Sequence, residues 1–172
     1  MVKKIAILVT ASVLITVLWF NGLEKVYGYI LVFTTNTIVS MGSSQTNIKV
    51  ETTNDDLVFR VTTLIDGKRG SYPQRAQSLL LPAVIVLSWI PLLFFSLPAK
   101  QAAKQGAFDF GLFLLFQVLF MILLTFYYNS ELAKYLFHLM MEAFYVFAVI
   151  IIIKDSYKYP EIWKAVPYET TI

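Results

Sequence analysis

The sequence predicts an all-α integral membrane protein: a four-helix transmembrane bundle with a small extracytoplasmic β-hairpin region. Three observations lead there. Apolar runs at residues 5–20, 78–97, 107–126 and 132–153 read as membrane-crossing helices, since about 20 apolar residues span a bilayer. The one polar region, 42–77, carries β-branched residues in rough alternation between turn-forming residues. The chain is 58% hydrophobic and 15% charged, against about 45–50% and 25% in soluble domains; the excess is gathered into runs, which marks a membrane protein rather than a large soluble core.

Residues 1–21 form an N-terminal transmembrane anchor. Lys3 and Lys4 precede the first apolar run, a layout shared with signal peptides, but no A-x-A-like cleavage pattern follows. We read an uncleaved signal anchor. Residues 22–77 form an extracytoplasmic amphipathic helix and β-hairpin. Within 22–41, Leu23, Val26, Ile30, Leu31 and Phe33 mix with Glu24, Lys25, Thr34 and Asn36. A helix on or rising from the outer surface suits this mixture better than a second crossing. Ile48, Val50 and the run Leu57 to Val61 predict strands. Asn54-Asp55-Asp56 and Asp66-Gly67 supply turn chemistry for a hairpin or a three-stranded sheet. A stretch with Pro73 then leads back to the bilayer.

Residues 78–153 form a three-helix transmembrane region. Pro82 and Pro91 lie inside its first helix, so this helix is bent and packed against neighbours that accommodate the freed carbonyls. A short basic turn, 98–106, leads to 107–126, with Gln117 near its middle and Tyr127 and Tyr128 at its end. Asn129-Ser130-Glu131 is a tight loop and N-cap for the last helix. Residues 154–172 form a cytoplasmic tail, with Trp163 and several tyrosines suited to the headgroup zone. With both termini inside, Lys3, Lys4, Lys100, Lys104, Lys154, Lys158 and Lys164 fall on the cytoplasmic side. The expected location is the plasma membrane, a cell inner membrane, with several crossings.

The net charge of +3 is scattered, so no basic stripe points to nucleic acid. Membrane lipids and other membrane protein subunits are the expected partners. The absence of cysteine excludes disulfides, thiolate metal sites and a cysteine nucleophile. One ionisable stripe stands out: Lys134, His138 and Glu142 recur every four residues on one helix face, with Glu142 near mid-membrane. An ionisable group at that depth is a site hypothesis by default. Proton relay or metal binding competes with a satisfied His138–Glu142 pair facing a neighbouring helix or Gln117. Zinc needs at least three protein ligands and no second histidine exists, so neither metal nor cofactor is expected. Lys68, Arg69 and Arg75 can meet lipid phosphates or an acidic partner, against the alternative of a solvated turn. Ser71 is a nucleophile only with a base beside it, and His138 is the sole histidine available. Asp109 reads as an interfacial cap.

The order of an N-terminal anchor, an outer β-like segment (Val58-Phe59-Arg60-Val61-Thr62-Thr63-Leu64), a proline-bearing span, a basic turn (Leu97-Pro98-Ala99-Lys100), another span and a histidine near the outer end of the last helix resembles the membrane proteins of the exosortase and archaeosortase system. It is closest to the small exosortase-associated membrane proteins. The resemblance covers roughly residues 57–153. The family's enzymes are transpeptidases using cysteine, arginine and histidine. This chain has no cysteine and no arginine in its third span; only His138 has a counterpart. The resemblance therefore implies a non-catalytic relative or partner.

The expected function is a non-enzymatic integral membrane subunit of a larger complex, in its most specific form an accessory of an exosortase-type sorting system. Two alternatives stand beside it: a membrane enzyme using His138 and Glu142 at the outer face, with Ser71, and a transporter or channel component with Glu142 lining a polar path.

Overall fold

A computed structural model describes residues 2–42, 45–53, 56–65 and 67–164. The expected turn residues Asn54, Asp55 and Asp66, and the tail from 165 on, lie outside them. Helix α1 (Val2–Leu18) passes through a π-turn (Trp19–Leu23) into α2 (Glu24–Gly42). The helical run is unbroken in sequence but kinked, because Asn21 and Gly22 leave helical geometry and Gly22 takes φ 114°, a left-handed value that glycine adopts without steric cost. The boundary between the expected anchor and amphipathic helix falls at this kink.

Strands β1 (Asn47–Thr53), β2 (Asp56–Ile65) and β3 (Lys68–Arg75) form an antiparallel sheet in the order β1-β2-β3. The segment expected to lead back to the bilayer is thus strand as far as Arg75. Pro73 is tolerated because β3 is an edge strand. The register pairs Ile48 with Val61, Val61 with Tyr72 and Val50 with Phe59. Side chains alternate across a sheet, so one face gathers Ile48, Phe59, Val61 and Tyr72, all buried. The other face carries Lys49, Glu51, Arg60, Arg69 and Arg75, with Arg60 ion-paired to Glu51. The buried face packs on α2, where the lack of a side chain at Gly28 admits Leu57, Phe59 and Leu80. The sheet is therefore not a free-standing hairpin, which would be marginal in water.

Short helix α3 (Gln77–Leu80) and α4 (Pro82–Ser96) follow as an almost continuous run, interrupted at Leu81. Pro82 opens α4, where its missing N–H is harmless. Helix α5 (Ala99–Thr125) begins where the basic turn was expected: Ala, Lys and Gln are strong helix formers, and Pro98 precedes them. Helix α6 (Glu131–Lys158) starts at the expected cap, with Ser130 Oγ accepting from Ala133 N at 3.2 Å. It continues five residues past the expected end of the span, and a 3₁₀ turn (Pro160–Ile162) closes the described chain.

Three helical runs are long and apolar enough to cross a membrane: Val2–Gly42, Ala99–Thr125 and Glu131–Lys158. The proline-bearing α4 is apolar but shorter, so the four crossing helices expected from hydropathy appear as three long apolar helical runs and one shorter helix. Phe113, Phe116, Phe120, Phe144 and Phe147 stack between α5 and α6, giving broad contacts in which ring edges meet ring faces. Lys4 Nζ on α1 donates to the carbonyls of Glu161 (2.6 Å) and Lys164 (2.9 Å). Both ends of the described chain therefore meet at one end of the bundle, and the sheet lies at the other.

Candidate functional site

The densest polar cluster lies at the end of the bundle away from the sheet. Asp155, one turn before the end of α6, is fully buried. It accepts from Trp89 Nε1 of α4 at 2.9 Å and from Gln105 Nε2 of α5 at 2.9 Å. Gln105 also donates to Asp109 Oδ1 at 3.0 Å. Its own Oε1 accepts from Lys158 (3.0 Å) and Tyr159 (3.1 Å). Lys154 forms an ion pair with Asp109 and lies 3.2 Å from Asp155. Local spacing contributes one part of this arrangement: Gln105 and Asp109 are four apart on α5, and Lys154 and Lys158 four apart on α6, so each pair shares a face. Lys154 and the N–H donors of Trp89 and Gln105 offset the burial of the two carboxylates, while Asp109 Oδ2 is buried with no hydrogen-bond partner among the described residues. Asp109 is thus no interfacial cap: it is fully buried and paired.

A second polar contact sits deeper. The Tyr27 hydroxyl of α2 donates to Gln117 Oε1, whose Nε2 donates to the Leu79 carbonyl at 2.6 Å. Gln117 thereby binds α2 and α3, rather than His138 or Glu142. It captures the Leu79 carbonyl next to the break between α3 and α4 at Leu81.

The expected stripe on α6 is differently disposed. His138 is exposed, and its Nε2 lies 3.2 Å from the Tyr127 hydroxyl. Lys134 stands over the Tyr127 ring at 6.0 Å. Glu142 is exposed on the outward face and makes no hydrogen bond or ion pair with the described residues. His138 is therefore held by Tyr127 and not by Glu142. Ser71 is exposed on β3, accepting weakly from Thr62 Oγ1 at 3.3 Å, with no hydrogen bond to His138. Lys68, Arg69 and Arg75 are exposed on the same edge strand. Among the described residues no three His, Cys, Asp or Glu side chains are grouped to hold a metal.

Sequence reading missed the cluster around Asp155. The available signal was the interval of four between Gln105 and Asp109, ending in a carboxylate within an apolar run. Its partners lie more than forty residues away, so nothing local announces them.

The fold and site define a helical chain with three helices long enough to cross a membrane, a sheet docked at one end and a buried ionic cluster at the other. Comparison with family models, curated proteins and solved structures finds no match.

Proposed function

We propose that this chain is a non-enzymatic integral membrane subunit of a larger membrane protein complex, resident in the plasma membrane with several crossings. The observation that carries this reading is the engagement of the two fully buried carboxylates. Asp109 and Asp155 hold α4, α5 and α6 to one another through Trp89, Gln105 and Lys154. Groups committed to holding helices together serve as scaffold. His138 and Ser71, in contrast, stand apart on different elements with separate partners.

In this reading α3 and α4 together make a fourth crossing, since Gln77 to Ser96 spans about 30 Å as a helix. The lysine-rich end joined by Lys4 faces the cytoplasm and the sheet lies outside. The basic sheet face offers Arg69 and Arg75, and the exposed start of β3 offers Lys68, to lipid phosphates or an acidic partner. An accessory of an exosortase-type sorting system is the most specific form of the proposal, and it rests on the resemblance in layout alone.

Extraction from native membranes in mild detergent, followed by mass spectrometry of what travels with the tagged chain, tests the proposal. A stoichiometric membrane protein is the expected companion. A lone monomer, or substrate turnover by the pure chain that His138→Ala abolishes while leaving the protein folded, would overturn it.

A further inference from the structure

Helix α6 divides sharply into two faces. Ala133, Phe137, Phe144, Ala148 and Ile151 point into the bundle and are buried. Opposite them, Tyr135, Leu139, Glu142, Val146, Val149 and Ile153 form one straight outward stripe, all exposed. Glu142 is the single carboxylate in it. It lies about 16 Å from Glu131 at one end of the helix and about 18 Å from Lys154 near the other, close to the centre of the apolar length. Within its own chain no described group bonds to it. His138, one turn away, is engaged with Tyr127, and Lys134, two turns away, stands over the same ring.

On the reading above as a membrane subunit, we propose that this stripe is the docking face for a transmembrane helix of a partner protein that carries a lysine or arginine at the depth of Glu142. A charged carboxylate facing hydrocarbon alone is costly, and an opposite charge at close range in low dielectric offsets that cost. The flanking Leu139 and Val146 supply apolar surface on either side to exclude water and lipid. A second copy of this chain does not meet the requirement. A two-fold axis along the membrane normal sets Glu142 against Glu142 at one depth, and like charges there repel. The cation is therefore assigned to a different chain.

A photo-crosslinking residue in place of Leu139 or Val146, in the full chain in its native membranes, tests this. Leu115, exposed on α5, is the control position. We expect adducts from 139 and 146, and not from 115, to one protein with a mid-depth lysine or arginine. Glu142→Gln should cut the adduct yield at least tenfold. Glu142→Lys should abolish it, and the reciprocal change of the partner's cation to Glu should restore it. Adducts to a second copy, adducts to lipid only, or a partner adduct indifferent to Glu142→Gln would each overturn the proposal. A companion that co-purifies but crosslinks only from other surfaces defeats this inference and leaves the subunit reading standing; no companion at all defeats both.

Discussion

The indole Nε1 of Trp89 donates to Oδ2 of Asp155 at 2.9 Å, tying the middle of α4 to the last turns of α6. The same carboxylate takes Gln105 on its other oxygen, so one side chain joins three helices.

Replacing Asp155 by leucine removes the acceptor for both donors and leaves Lys154 beside a single carboxylate. A loss of about 3–5 kcal/mol is expected from breaking a buried charged network by one partner. Asp155→Asn keeps an acceptor oxygen and should lose less, about 1–2 kcal/mol. Thermal unfolding in detergent, followed by tryptophan fluorescence, measures both. Equal midpoints for the wild type and Asp155→Leu would remove the cluster from the account of stability.

Tyr27 and Gln117 are coupled across α2 and α5 by a buried hydrogen bond. A cycle of Tyr27→Phe, Gln117→Leu and the double variant should give a coupling of about 0.6–1.7 kcal/mol, the range found for polar contacts between membrane helices. Additive single effects would show that the bond does not hold α2 to the bundle.

The kink between α1 and α2 depends on Gly22 at φ 114°. A β-carbon there is strained even though space is open around it. Gly22→Ala should cost about 1–3 kcal/mol or else straighten the helix. Spin labels at Val9 and Met41 read the second outcome as a longer distance. A variant with unchanged stability and unchanged distance would relocate the cause of the bend.

The Tyr72 hydroxyl donates to the Leu124 carbonyl, fastening β3 to α5. Burial, reinforced by the nearby Tyr128 and Tyr127, raises its pKa above the ordinary value near 10. The unfolded chain therefore loses this proton first as pH rises. The stability associated with the neutral hydroxyl is fully present below about pH 10 and declines above it. Denaturation at pH 9 and pH 11 should show a larger loss for the wild type than for Tyr72→Phe; identical losses would rule out Tyr72 as the responsible group.

Apolar runs made α1, α5 and α6 legible, and alternation with turn residues made the sheet legible, because both signals are local and periodic. Less legible were the extents. Helix α5 starts at Ala99 and α6 runs to Lys158, since helix formers and buried partners carry a helix beyond its hydrophobic stretch. The sequence allows a hairpin or a three-stranded sheet, but the third strand's extension to Arg75 was obscured by Pro73, which argues against a central strand but not against an edge. At the candidate site, spacing by four correctly put His138 and Glu142 on one helix, yet it does not say which neighbour either would meet.

Hydropathy and turn chemistry, both properties of short windows, settled by themselves that this is a largely helical chain with apolar helices and one small polar sheet. Only the tertiary structure decided that Asp109 and Asp155 are internal, that Gln117 serves Tyr27, and that Glu142 is left facing outward. The physical reason is that a polar side chain in an apolar helix takes its role from whichever distant donor or acceptor packing brings within about 3 Å, and that neighbour is written elsewhere in the chain.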